Sequence, residues 1–177
     1  MAPFHGSQCV REFANVVVIS QNGDETKMAI CTADLKWTAN EGEDFLKGRF
    51  SRAHTLSFDG GTVGPASASP HVVGKWAAEA AVDPEEMLVA ALSSCHMLSF
   101  LHVARLAGFA VAAYDDHAEG VLEEITPGRQ AVAKVALHPR IAWAGAAPGK
   151  EELERLHHEA HQICFIANSV KTRVTIE

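Results

Sequence analysis

Apolar and polar positions alternate with period two in two early stretches of the chain. Ala29, Cys31, Ala33, Leu35 and Trp37 alternate with positions that include Thr32, Asp34 and Lys36, which predicts a strand with one buried face. A polar loop follows over residues 40–44. Residues 50–58 alternate again. Phe50, Arg52, His54, Leu56 and Phe58 share one face and Ser51, Ala53, Thr55 and Ser57 the other, so an arginine and a histidine sit on the bulkier side. Asp59, Gly60 and Gly61 close that strand. A Gly/Pro/Ser/Ala connection then runs to about Val82, and connections of that length often line sites. Upstream, residues 16–19 (VVVI) predict a short strand and residues 21–24 a turn. Residues 1–28 are read as an N-terminal extension, and residues 29–177 as one domain.

The period changes at Asp83. An Asp that can cap, Pro84 in the first turn and two acids at the positive end of the dipole open a helix over residues 84–107, with Gly108 as its stop. Its sequence is apolar nearly all round, which predicts burial on most sides. A small subunit can hardly enclose such a helix alone, so a second copy of the chain is expected against it. Residues 109–124 and 129–141 predict two strands joined around Thr126, Pro127 and Gly128. Residues 149–164 predict a second helix, with Leu153, Leu156, His157, Ala160 and Cys164 close to one stripe. Val170, Thr172, Val174 and Ile176 alternate in a closing strand. Strands, helix, strands, helix, strand is an α+β order with antiparallel sheet rather than a repeated βαβ unit.

Composition adds exclusions. The chain has 177 residues, 47% of them apolar and 21% charged, enough for a core of its own. Its 15 Lys and Arg against 22 Asp and Glu give a formal charge of −7, which disfavours phosphate-driven nucleic-acid binding. No unbroken run of about 18 apolar residues predicts a membrane span. The N-terminal sequence lacks a basic segment followed by an apolar one, so a cytoplasmic location is expected. Four cysteines, Cys9, Cys31, Cys95 and Cys164, form no CxxC pair and no disulfide scaffold.

Cys95 lies about three turns into the first helix and Cys164 at the end of the second. Two readings are open. Both are small core residues, as free cysteines often are, or they form a redox pair in which one sulfur is oxidised to the sulfenic acid and the other condenses with it. A reactive thiolate needs a cation or donors beside it. Arg52 and His54 are the candidates, with Glu85 available to hold Arg52; the alternative for Arg52 is a side chain reaching past the sheet edge to water. His157 and His161, spaced i, i+4 in HHEAH with Cys164 one turn on, suggest a zinc site, but without the HExxH pattern.

The segments SRAHTLSFDGG, ASASPHVV, DPEEMLVAALSSCHM and EAHQICFIANSV resemble the superfamily of osmotically inducible protein C and organic hydroperoxide resistance proteins (OsmC/Ohr), most closely its OsmC-like branch. The resemblance runs from about Met28 to Glu177. It implies an α+β fold of antiparallel sheets wrapped around long central helices in an intertwined homodimer. It implies a thiol-dependent peroxidase that reduces organic hydroperoxides to alcohols, with no cofactor and no metal. The peroxidatic cysteine maps onto Cys95, the resolving cysteine onto Cys164 and the supporting acid onto Glu85; the activating arginine is assigned to Arg52. The implied partners are a hydroperoxide substrate and an external dithiol of the lipoyl type, with no nucleic acid or membrane. The sequence departs from the Ohr branch after Cys164, where CFIAN replaces CPYS, and at Cys31 and Leu56, where aromatics are expected; these bear on substrate range. The rival function is a non-catalytic binder of hydrophobic ligands on the same fold.

Overall fold

The computed structural model describes residues 18–19, 25–26 and 30–177. Cys9, the turn at 21–24 and the start of the first alternating stretch lie outside the described residues, as does nearly all of the 1–28 extension. Val18–Ile19 (β1) and Glu25–Thr26 (β2) pair antiparallel. The alternating stretches that follow form strands shorter than their periodicity suggests: Ala33–Lys36 (β3) and His54–Phe58 (β4). Arg52 therefore precedes its strand instead of sitting within it.

The stretch expected as a connection contains regular structure. Val63–Ala66 (β5) pairs with β4 across a turn closed by Gly61 at φ +80, giving the antiparallel sheet β3–β4–β5. Pro70–Val73 (α1) follows, with the Ser69 hydroxyl accepting from the His71 amide. Ser67 is buried, its Oγ accepting from Ala78 N at 3.0 Å and its own amide donating to Val82 O. The small residues that looked like linker composition are what let this segment pack backbone against backbone. The sheet itself is exposed. Every residue of β3 is exposed, Leu35 by 68%, and the buried residues of the sheet are Leu56 and Ala66. The half-buried strand expected at 29–37 has no covering layer among the described residues.

Pro84–Leu106 (α2) is the spine. Asp83 closes a capping box: its Oδ1 accepts from Glu86 N at 2.8 Å, and its own amide donates to Glu86 Oε2 at 3.0 Å. At the far end Gly108, at φ +84, lets the Phe109 amide reach back to Ala104 O and its own amide to Arg105 O. That double return satisfies carbonyls that the helix leaves orphaned. By length and composition α2 could span a membrane, which a search for an unbroken apolar run misses. Here it is a core helix on one side only. Leu92, His96, Phe100, Val103 and Ala104 are buried, whereas Leu98 and Leu106 face outward.

Each of the two strands expected after α2 is broken in two. They become Val111–Asp116 (β6), Glu119–Thr126 (β7), Arg129–Leu137 (β8) and Pro139–Trp143 (β9). The chain passes between sheets at each break, since β6 pairs with β9 and β7 with β8. Asp116 holds the crossing point. Its Oδ1 accepts from His138 N at 2.6 Å and its Oδ2 from the Ser93 hydroxyl at 2.5 Å. Lys150–Ile163 (α3) is followed by a short helix not anticipated from the sequence, Phe165–Ser169 (α4), and by Arg173–Ile176 (β10). β10 runs parallel to β8, whereas the other strand pairs among the described residues are antiparallel, because a long helical return brings the chain back in the same direction.

Two apolar clusters flank α2. The first joins Phe100, Val103 and Ala104 to Leu156 and Ala160 of α3, with Trp143 and Ile141 of β9 against them. The second joins Leu92 to Val135 and Leu137 of β8, with Ile166 and Ala167 of α4 against them. Cys95 lies in the stretch of α2 between them.

Candidate active site

The residues facing outward from α2 near Cys95 form one wall of a cleft of about 590 Å³. Ala91, Ser94, Cys95, Leu98, Ser99 and His102 follow one another at helical spacing along it, and Ile163, Phe165 and Ile166 make the opposite wall. Phe165 is 81% exposed and rims the opening. Cys95 is half-buried on this cleft, whereas Cys164 is buried behind it with 1% of its surface accessible.

The two thiols are close enough for each to feel the other. Both are free thiols. The chain turns sharply at Cys164, which has extended backbone angles and serves both as the C-cap of α3 and as the N-cap of α4. That turn aims two successive amides at the two sulfurs: Ile166 N donates to Cys95 Sγ at 3.5 Å, and Ala167 N to Cys164 Sγ at 3.4 Å. Cys164 does end the second helix, as expected, and it also begins α4. The asymmetry between the thiols still has a physical basis. Burial pushes the Cys164 thiol up, and the neighbouring Cys95 thiol adds to this, while the Ala167 and Ile166 amides pull the other way. The buried thiol holds its proton, and the partner with access to the cleft is Cys95.

The other two sequence candidates lie elsewhere in the chain. The Arg52 guanidinium sits 3.5 Å from the centre of the Phe50 ring and donates to Phe50 O. Its backbone amide donates to Trp76 O. His54 Nδ1 lies 2.9 Å from Arg52 O. Glu85 faces a second and larger cavity of about 1120 Å³ on another side of α2, together with Glu86, Asp116 and His117. Neither Arg52 nor Glu85 lines the Cys95 cleft, and among the described residues no hydrogen bond or ion pair joins either to the other or to Cys95. Cys95 and Cys164 are brought together; Arg52 and Glu85 are not brought to them within one chain.

Sequence reasoning passed over a third group beside the sulfurs. His96, next to Cys95 and 1% exposed, places Nε2 3.1 Å from Nδ1 of His157 on α3, with the rings nearly parallel. Burial drives His96 down to about 4, helped by the neighbouring His157 and His161, and burial lowers His157 as well. The adjacency of His96 to a helical cysteine, and the place of His157 on the apolar stripe of α3, were the signals available in sequence. Among the described residues no group of three or more His, Cys, Asp or Glu side chains is arranged to hold a metal ion. In the HHEAH run, His157 is turned to His96 instead.

The OsmC-like protein family model matches residues 77–177, and the chain belongs to that family. Among solved structures, an OsmC-like protein of unknown function from Vibrio cholerae is 47% identical, with a TM-score of 0.80, over 85% of this chain and 99% of that one. An organic hydroperoxide resistance protein OsmC from Legionella pneumophila shares the fold at 22% identity and a TM-score of 0.57, over 85% of this chain and 96% of that one. A further organic hydroperoxide resistance protein, from Elizabethkingia anophelis, does so at 20% identity and 0.58, over 85% and 94%. No curated protein matches the chain.

Proposed function

We propose that the protein is a thiol peroxidase that reduces organic hydroperoxides to alcohols through Cys95 and Cys164. The observation that carries this reading is one half-buried cysteine opening on an apolar cleft, with a second, buried cysteine behind it and two successive amides donating to the two sulfurs. Family membership and the hydroperoxide-resistance proteins that share the fold support it.

The Cys95 thiolate attacks the distal oxygen of ROOH. The O–O bond breaks, Cys95 becomes the sulfenic acid, and the alkoxide takes a proton and leaves as ROH. The Cys164 thiol then attacks the Cys95 sulfur, giving a disulfide and one water, and an external dithiol returns both cysteines to thiols as it becomes a disulfide itself. Negative charge moves from sulfur to the leaving oxygen, so a donor beside Cys95 serves both ends of the step. The Ile166 amide is such a donor within the chain. Arg52, held by Glu85, is proposed to supply the positive charge from a partner copy, in a cytoplasmic homodimer that covers the outward apolar side of α2. The apolar walls favour alkyl hydroperoxides over hydrogen peroxide, at roughly 0.8 kcal/mol per methylene buried.

Turnover of cumene hydroperoxide with dihydrolipoamide as reductant tests the reading, and a protein with no such activity under any dithiol ends it. The second reading, a non-catalytic binder of hydrophobic ligands, is favoured by the lack of Arg and Lys among the cleft residues. Thiol counting after one equivalent of hydroperoxide separates the two. The enzyme consumes Cys95 and Cys164 together; the binder consumes neither preferentially.

A further inference from the structure

The packing of α2 on α3 is apolar except at one place. Phe100, Val103 and Ala104 meet Leu156 and Ala160, and among the described residues the hydrogen bond between His96 and His157 is the one that joins side chains of these two helices. It is carried by the same two helices that carry the cysteines. His96 follows Cys95 directly, and His157 precedes Cys164 by seven residues, two turns along the same face of α3. Whatever fixes α3 against α2 at this point also fixes the end of α3, where Cys164 turns toward Cys95.

We infer that His96 and His157 are positioning residues for disulfide formation: their hydrogen bond holds α3, and with it Cys164, in reach of Cys95, and it is lost once both imidazoles are charged. This deepens the proposed peroxidase reading and rests on it for its place in a catalytic cycle.

A neutral imidazole has one donor and one acceptor nitrogen, so two neutral rings make one Nε2···Nδ1 bond with a single shared proton. The surroundings favour that state. His96 Nδ1 is buried with no partner, so a charged His96 would carry an unsatisfied N–H into the core. Phe100 packs against the His157 ring at 4.4 Å between centres. From α3, His161 faces the pair with its own Nδ1 unpartnered. From β6 come Asp116, the one neighbour favouring protonation, and the buried Tyr114 hydroxyl, also unpartnered. Asp116 is committed to Ser93 and to the His138 amide. A first proton puts a charge where burial opposes it. A second makes both facing nitrogens donors, and the bond is lost. Both the Nε2 and the Nδ1 position have uncharged stand-ins: the end of a Gln reaches where Nε2 lies, and the end of an Asn where Nδ1 lies, one donating and one accepting.

The test reads the Cys95–Cys164 disulfide without peroxide. The protein is equilibrated with mixtures of reduced and oxidised dithiothreitol, then alkylated and mass-mapped, at pH 7.5 and at pH 4. His157→Leu should lower the equilibrium constant for the disulfide by roughly fivefold to tenfold at pH 7.5, the scale set by one lost hydrogen bond. The pair His96→Gln with His157→Asn should recover most of it. Acidification should weaken the disulfide in the wild type and leave the Gln/Asn pair unchanged. A folded His157→Leu protein with the wild-type constant, or an acid effect that survives in the Gln/Asn pair, overturns the inference. Should His157→Leu fail to fold, the acid comparison between wild type and the Gln/Asn pair decides alone. A chain that shows this histidine dependence yet reduces no hydroperoxide refutes the proposed function and leaves the inference standing. A chain that forms no Cys95–Cys164 disulfide at any ratio removes both.

Discussion

The chain divides into a part that satisfies itself and a part that does not. From α2 to β10 the apolar faces meet: α2 lies between two clusters, each sheet has a helix against it, and the two sulfurs find each other and two backbone amides. The sheet β3–β5 and the turn before β4 are different. Leu35 and Phe58 are exposed, Leu46 is 95% exposed, and Trp37, Phe45 and Phe50 stack mainly on one another. Arg52 belongs to this second region and Cys95 to the first. The contrast teaches where the chemistry can be complete: the thiol pair needs one copy of the chain, whereas the proposed Arg52 contribution needs the exposed sheet to find something to cover.

The largest effect expected bears on the self-sufficient part. Cys95→Ser should abolish hydroperoxide turnover. Cys164→Ser should still permit one oxidation, leaving Cys95 as a sulfenic acid that a dimedone probe traps and excess peroxide carries further. Trapping at Cys164 in the Cys95→Ser protein would reverse the roles and make burial a poor guide to them.

Acid should break the same part through its histidines. His96 has its folded value lowered to about 4 from an ordinary 6.5, so the unfolded chain binds the proton first. Stability is therefore complete above about pH 6.5 and falls as the pH drops toward 4, by about 3 kcal/mol if the shift is fully expressed. His157 is lowered as well and acts in the same direction. Urea midpoints measured between pH 7 and 4 check this, and His96→Gln should remove most of the slope. A slope equal in the wild type and the variant would mean that carboxylates, not this histidine, set the acid limit.

A packing test is smaller. A Cβ added at Gly120 of β7 would lie 2.5 Å from Val89 Cγ2 on α2, closer than packed atoms allow. Gly120→Ala should cost about 1–3 kcal/mol as helix and sheet move apart. Gly61→Ala lies in the exposed sheet with open space around the added atom but at φ +80. It should cost about 1 kcal/mol from backbone strain alone. Thermal midpoints for the two variants compare them, and a larger loss at Gly61 would mean that the exposed sheet is the tighter of the two regions.

What was legible in the sequence follows the same division. The α2 helix could be read to its ends because its stop signals are local: Asp83 and Glu86 cap one end and Gly108 the other. The α+β class was legible in the order of elements, and the pairing of Cys95 with Cys164 was implied by the family motifs. The breaks at residues 117–118 and at His138 were not, because they are set by Asp116 reaching Ser93 and the His138 amide from distant positions. Nor was α4, whose start depends on the backbone turn at Cys164. The parallel pairing of β10 with β8 has no periodic signature, since both pairings alternate with period two. Beyond its place next to Cys95, His96 carries no signal of its own in the sequence, because its meaning depends on where α3 docks. The alternation at 50–58 correctly grouped Phe50 with Arg52, yet the grouping is a stacking contact before the strand begins, not a shared strand face.

The smallest effect tests whether the two regions meet at all. Within the chain Arg52 gains a stacking contact with Phe50 and a carbonyl acceptor. An exposed cation–π contact is worth about 0.5–1 kcal/mol, so Arg52→Ala should barely move the thermal midpoint. If a second copy brings Arg52 to the cleft, the same change should slow the hydroperoxide step about tenfold, equivalent to about 1.4 kcal/mol in the barrier. Disulfide formation with dithiothreitol should be untouched, because Cys164 and the Ile166 and Ala167 amides come from the other region. Stopped-flow oxidation by one equivalent of cumene hydroperoxide reads the first quantity and the redox equilibrium the second. Arg52→Lys sharpens the comparison: it keeps the charge and loses the planar fork. Partial recovery in Arg52→Lys indicates a field acting on the sulfur and the leaving oxygen, and no recovery indicates directed hydrogen bonds. An Arg52→Ala protein that is oxidised at the wild-type rate confines the chemistry to α2, α3 and α4, and passes the search for a cation to His102, the titratable side chain that shares the cleft with Cys95.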